Sequence, residues 1–254
     1  MTYDISNLNN FIFLDEYQNV SALDSAKSLF ILGDILYVVS FNDMFATFNV
    51  SNPSNIILLD SDTSSVYLDG ASSVFVDSEK IAYIANNLGD SISTFNVSNP
   101  SNIIFLDEYE NTVYLDGANY IKKVNDTVFV ASVYDDSLSS YDVSDPSSIT
   151  FLDEYDSVTY LDGVRSFDIL GDILFAVSSN DDSISSYNIS NPSSITFLDD
   201  YENSVYLDGA SYIIINQEVA YITSFLSKYI DIVKINISDS SNLSFLETYD
   251  VINN

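Results

Sequence analysis

Along the chain, apolar and polar positions run through one cycle of four short segments separated by polar turns. The first segment follows the phrase Y-L-D-G, as in Ala118-Asn-Tyr-Ile-Lys-Lys-Val124 and Val164-Arg-Ser-Phe-Asp-Ile-Leu170. A polar pair ends it (Gly33-Asp34, Asn125-Asp126, Gly171-Asp172 or Gln217-Glu218), and such dipeptides between apolar runs mark hairpin turns. The second segment is apolar on both faces: Ile35–Val39, Ile81–Ala85, Val128–Ala131, Ile173–Val177 and Val219–Ile222. That pattern predicts a strand buried between neighbouring sheets. After a second polar loop comes an alternating segment, S-I-S-S-Y-N-I at Ser183–Ile189. An S-N-P or S-D-P turn then leads into the fourth, I-T-F-L-D-E-Y at Ile149–Tyr155. Nothing in the cycle carries a helical period, so four strands per repeat are predicted.

The last two segments repeat most faithfully. Copies start at Tyr3, Phe48, Phe95, Tyr141, Tyr187 and Ile235, 45 to 48 residues apart. A period of 40 to 50 residues made of strands is the mark of a β-propeller. All four prolines, Pro53, Pro100, Pro146 and Pro192, fall at one repeat position, where a missing amide suits a turn. Leu8 and Ser240 stand there in the two end copies. The fold class is therefore all-β, a propeller of four-stranded antiparallel blades of about 46 residues, in one domain spanning 1–254. Residues 1–20 form a half-repeat, an N-terminal β-hairpin, and 21–254 hold five complete repeats. Five blades are favoured, with either end of the chain able to supply the closing outer pair; a six-bladed ring with one half-built blade is the alternative. One outer hairpin is redundant in the five-bladed ring, and its unpaired edge predicts self-association with a second chain.

The third segment and its turn, Leu138-Ser-Ser-Tyr-Asp-Val-Ser-Asp-Pro146, resemble the LVIVD repeat, whose pattern ends in Asp-Val-Ser-Asp/Asn-Pro. Four of the six copies carry Asn in place of the first Asp, at Asn49, Asn96, Asn188 and Asn236. The resemblance implies a β-propeller, often secreted or on a microbial surface, and assigns no activity.

Composition narrows the chemistry. Seven basic residues face 38 Asp and Glu, a formal net charge of -31, which disfavours nucleic acid and anionic membranes and suits cations or basic partners. With no Cys and no His, disulfides, Ser-His-Asp and Cys-His sites are excluded, and zinc and copper lose their favoured ligands. No apolar run reaches the length of a membrane span and no signal peptide is visible, so membrane insertion is not expected. An extracellular, cell-surface or virion setting is favoured. Asn-x-Ser/Thr acceptors at Asn19, Asn49, Asn96, Asn125, Asn188, Asn236 and Asn242 predict a glycosylated rim if the chain is exported.

Two candidate sites lie in the Y-L-D-G phrase. Asp24, Asp69, Asp116, Asp162 and Asp208 would form a ring of carboxylates near the central channel, a hard-oxygen setting suited to Ca²⁺. The alternative is a turn in which the carboxylate caps backbone amides. Tyr67, Tyr114, Tyr160 and Tyr206 could stack on sugar rings, or pack between sheets. The functional expectation is a non-catalytic structural or binding module with a protein or glycan partner, alternatively a multivalent lectin-like propeller. A glycosidase is the lesser reading, because a catalytic carboxylate pair needs two different environments and the repeats offer near-identical copies.

Overall fold

The computed structural model describes residues 1–7, 9–18, 23–226 and 231–250. Within them every regular element is a strand, and the strands form six antiparallel sheets. The N-terminal hairpin pairs β1 (Thr2–Asp4) with β2 (Ile12–Asp15). Blade 1 contains β3 (Ala26–Leu32), β4 (Ile35–Ser40), β5 (Met44–Asn49) and β6 (Ile57–Thr63). Blade 2 contains β7 (Ala71–Val76), β8 (Ile81–Asn86), β9 (Ser91–Asn96) and β10 (Ile104–Glu110). Blade 3 follows as β11 (Ala118–Val124), β12 (Thr127–Ser132), β13 (Ser137–Asp142) and β14 (Thr150–Asp156). Blade 4 is β15 (Val164–Leu170), β16 (Ile173–Ser178), β17 (Ser183–Asn188) and β18 (Thr196–Glu202). Blade 5 is β19 (Ala210–Asn216), β20 (Val219–Ser224), β21 (Asp231–Asn236) and β22 (Ser244–Asp250). In each blade the strands pair in chain order, so the four predicted segments are the four strands of a meander.

Between sheets the core is a set of apolar layers. Tyr37, Val39 and Phe45 meet Val74, Val76 and Ile84 where blade 1 packs on blade 2. Tyr83 and Ile92 meet Ile121 and Tyr141 at the next junction, and Phe129 and Leu138 meet Phe167 and Tyr187 beyond it. Phe175 and Val177 meet Ile213 and Ile235 at the last. The Leu of Y-L-D-G is fully buried in all four of these layers, at Leu68, Leu115, Leu161 and Leu207. Each is worth about 1.5–3 kcal/mol of transfer free energy, which explains why the phrase recurs.

A polar joint crosses each of these junctions as well. In blade 1, Thr47 and Asp60 face one another across β5 and β6. The Thr47 hydroxyl donates to the Pro100 carbonyl (2.5 Å) and the Asp60 carboxylate accepts the Ile103 amide (2.7 Å), both on the turn of blade 2. Thr94 and Asp107, Ser140 and Asp153, and Ser186 and Asp199 repeat the arrangement along the ring. The N-terminal hairpin makes the same joint: Thr2 donates to the Pro53 carbonyl (2.5 Å) and Asp15 accepts the Ile56 amide (2.7 Å) of blade 1. It also covers Phe48 with Tyr17, ring centroids 5.1 Å apart.

This corrects the favoured five-bladed closure. The hairpin does not complete the sheet at the other end of the chain; it is a sixth sheet, placed as the outer half of a blade preceding blade 1. The physical reason is the joint itself. In blade 5 the two joint positions are Lys234 and Glu247, which pair with each other at 2.5 Å rather than reaching a neighbour. Among the described residues no apolar layer joins blade 5 to the hairpin or to blade 1. Leu8, which stands at the proline position of the hairpin's turn, lies outside the described residues.

Candidate functional site

The Y-L-D-G turn is a structural device. Gly70, Gly117, Gly163 and Gly209 have φ between +66° and +72°, which a Cβ disfavours. Each glycine amide is accepted by a carboxylate from the preceding blade: Asp43 (2.9 Å), Asp90 (3.0 Å), Asp136 (2.8 Å) and Asp182 (3.0 Å). The acids expected to form a ring sit beside these caps, one per blade. Asp24 accepts the Asn42 side-chain amide and Asp162 that of Asn180. The Asp69, Asp116 and Asp208 carbonyls accept amides of their own blade's next loop. Burial, then Asp43 and Asp90 beside it, holds Asp69 above the ordinary carboxylate range, and burial does the same for Asp116. Among the described residues no three acidic side chains come together as a metal site. The tyrosines are packed as well: Tyr67, Tyr114, Tyr160 and Tyr206 stack on Phe105, Phe151, Phe197 and Phe245 at 4.2, 4.5, 4.1 and 5.1 Å.

What the repeats do not share is on the innermost strands. At the second position of each stand Lys27, Ser72, Asn119, Arg165 and Ser211; at the third, Ser28, Ser73, Tyr120, Ser166 and Tyr212. At the fifth stand Phe30, Phe75, Lys122, Asp168 and Ile214. Of these, Lys27, Ser28, Phe30, Ser73, Phe75, Tyr120, Lys122 and Tyr212 line a central cavity of about 460 Å³, and Asp168 stands behind Lys122 as its ion-pair partner. A contiguous mouth of about 180 Å³ adds Asn119, Arg165 and Ser211. The position by which a sequence reading could have found the site is therefore the least repeated strand, not the most repeated phrase.

The cavity concentrates positive charge. Three of the chain's seven basic residues, Lys27, Lys122 and Arg165, line it in a protein of net charge -31. Lys122 forms an ion pair with Asp168, whose other oxygen accepts the Ile215 amide at 2.8 Å. Arg165 Nε donates to the Ser179 hydroxyl (3.1 Å), and its backbone carbonyl accepts from the Asn119 amide group (2.7 Å). Burial, then Tyr212 and Asp168 nearby, push the Tyr120 hydroxyl above its ordinary range, so it stays a proton donor at neutral pH. Lys123 points elsewhere: with Asp77 (2.7 Å) and Tyr83 it ties blade 2 to blade 3. Burial alone would raise Asp77, but the hydrogen bonds from Lys123 and the Ile81 amide outweigh it and hold the carboxyl low.

One acid outside the cavity makes stability pH-dependent. Burial, then the Asp135 carboxyl group beside it, push Glu154 up to about 8. An ordinary glutamate in the unfolded chain titrates near 4.5. Between those values the folded state holds a proton that the unfolded state has lost, so stability falls as pH rises from 4.5 toward 8 and levels above it. The melting temperature is expected to be higher at pH 5 than at pH 8.5. Glu154→Gln should reduce that slope, most of all above pH 6 where Asp181 no longer contributes, while Glu79→Gln, an exposed site losing the same charge, leaves it. Equal slopes in both variants would refute the assignment.

No protein-family model and no curated protein matches the chain. Its fold is shared with solved structures. A protein from Lactobacillus plantarum aligns at TM-score 0.76 and 16% identity over 89% of this chain and 71% of that one. The periplasmic gluconolactonase of Pseudomonas aeruginosa aligns at TM-score 0.72 and 9% identity, covering 89% and 70%. Virginiamycin B lyase from Staphylococcus aureus aligns at TM-score 0.67 and 11% identity, covering 92% and 72%. At such identities the likeness shows the fold: an all-β, propeller-like array of four-stranded sheets. It also corrects the expected non-catalytic structural or binding module, with its lectin and glycosidase alternatives, because the neighbours include a lactonase and a lyase. The premise behind that expectation fails too, since the inner strands are not near-identical copies.

Proposed function

We propose that the protein is a hydrolase-type propeller whose central cavity takes a small anionic, hydroxyl-bearing lactone or ester. The observation that carries this reading is the gathering of Lys27, Lys122 and Arg165 in one cavity of an otherwise strongly acidic chain. Cations in a partly dehydrated cavity favour an anionic ligand and, more strongly, the oxyanion that develops when water attacks an acyl carbon. Asp168 supplies the base. Its carboxylate takes a proton as the water oxygen bonds to the acyl carbon; the ring C–O bond then breaks and the leaving oxygen takes a proton from Lys122 or Tyr120. Ser28, Ser73 and Asn119 offer hydrogen bonds to sugar-type hydroxyls. The neighbouring gluconolactonase supports the choice of lactones as the first substrates to try.

The test is hydrolysis of gluconolactone and of its 6-phosphate, followed by acid release against the spontaneous rate. Acceleration is expected, greater for the phosphorylated lactone. Rates equal to buffer for both, with no inhibition by or binding of the corresponding acids, would sink the proposal.

A further inference from the structure

The junction ahead of blade 1 has a defined shape. In blades 2 to 5 the inner strand turns its fourth and sixth residues toward the preceding blade; Val74 and Val76 are 5% and 2% exposed there, covered by Phe30, Tyr37 and Val39 of β3 and β4. The same positions of blade 1, Leu29 and Ile31, are 67% and 58% exposed. The hairpin covers the outer part of this face, through Tyr17 over Phe48 and through the Thr2 and Asp15 joint. In every complete blade the strand equivalent to β1 is paired on both sides, to the outermost strand and to the second strand. Among the described residues β1 is paired only to β2, so its inward edge has no strand partner there for its backbone donors and acceptors.

We propose that this half-blade is a receptor for a two-stranded β-hairpin of neutral or basic composition, which pairs with the free edge of β1 and covers Leu29 and Ile31. The occupant follows from continuity with the interface already built four times in the chain, where the same two positions are covered by an inner hairpin with an aromatic residue and small aliphatics on one face. Strand addition to a free edge gives affinity through the backbone, and the apolar wall selects which residues face it. Against a chain of net charge -31 a neutral or basic hairpin is favoured over an acidic one.

The full chain is titrated with a synthetic peptide spanning residues 117–134, its own inner hairpin from blade 3, in which Lys122 and Lys123 outweigh Asp126, and with a scrambled peptide of the same composition. In a second arm the same hairpin is fused through a flexible linker ahead of residue 1, which raises its effective concentration to about the millimolar range. Amide exchange at β1 and β3 is the readout. Binding should slow exchange at Tyr3 and around Leu29 at least tenfold, and should be lost in a Leu29→Asp/Ile31→Asp variant whose other amides exchange as before. No protection in either arm, or protection that survives the double substitution, would overturn the proposal. So would a dimer of the unmodified chain in light scattering with β1 already protected, because the occupant would then be a second copy.

Discussion

Gly117→Ala should lower the melting temperature by roughly 4–20 °C, whereas Gly33→Ala should lower it by about 2–8 °C. Both glycines have positive φ, +72° and +63°. An alanine in that region costs on the order of 1–2 kcal/mol of backbone strain wherever it stands. At Gly33 nothing lies near a new Cβ, so strain is the whole effect. At Gly117 the Cβ would overlap the Tyr134 ring and touch Val133 at 3.0 Å. Overpacking of that kind adds about 1–3 kcal/mol. The Gly117 amide also gives the hydrogen bond to Asp90 that ties blade 3 to blade 2, so any shift that relieves the clash stretches a joint. Parallel thermal melts check the pair; equal losses would mean that the turn yields without disturbing its neighbours.

The same turn shows what could be read from the sequence and what could not. The four strands per repeat, the proline position and the hairpin were visible because each has a local cause: alternation, a missing amide, a polar dipeptide. The placement of the hairpin has a non-local cause, although its signal was present. Thr2, Thr47, Thr94, Ser140 and Ser186 share one repeat position, and Asp15, Asp60, Asp107, Asp153 and Asp199 another. Only Lys234 and Glu247 break the series, and only the structure shows that the series is a joint. The inner strands were passed over for a related reason. Fidelity of repetition marks what every blade needs, here a buried Leu, a left-handed Gly and a Tyr stacked on Phe. A ligand in a central cavity meets each blade once, from a different direction, so the strands that touch it must differ. Asn119, Arg165 and Ser211 occupy equivalent positions and differ, as the proposed site requires.

Charge distribution separates the surface from the cavity. The acidic exterior acts on an anionic substrate only within about a Debye length, near 8 Å at physiological salt, and is screened as salt rises. Lys122, with its side chain 32% exposed and paired to Asp168 at 13%, is screened far less. Moderate salt should therefore speed capture of an anion more than it weakens retention, the reverse of a surface patch of lysines.

The sharpest consequence for chemistry rests on two similar ion pairs in different places. Asp168→Asn keeps an oxygen to accept the Ile215 amide and preserves the volume of the side chain, but removes both the base and the charge facing Lys122. Loss of general-base assistance is expected to reduce lactone turnover by about 100-fold or more. Substrate binding should weaken less, or even tighten, because Lys122 is freed to meet the anion. Asp77→Asn is the matched control. It breaks the pair with Lys123 at 2.7 Å, at a junction between blades and away from the central cavity. Breaking a buried pair costs about 3–5 kcal/mol, so this variant should melt earlier while turning over substrate normally below its transition. Turnover measured beside melting temperature in both variants separates positioning of the fold from chemistry. If Asp168→Asn retains its rate, the base is not Asp168, and the positive side chains of the cavity serve binding alone.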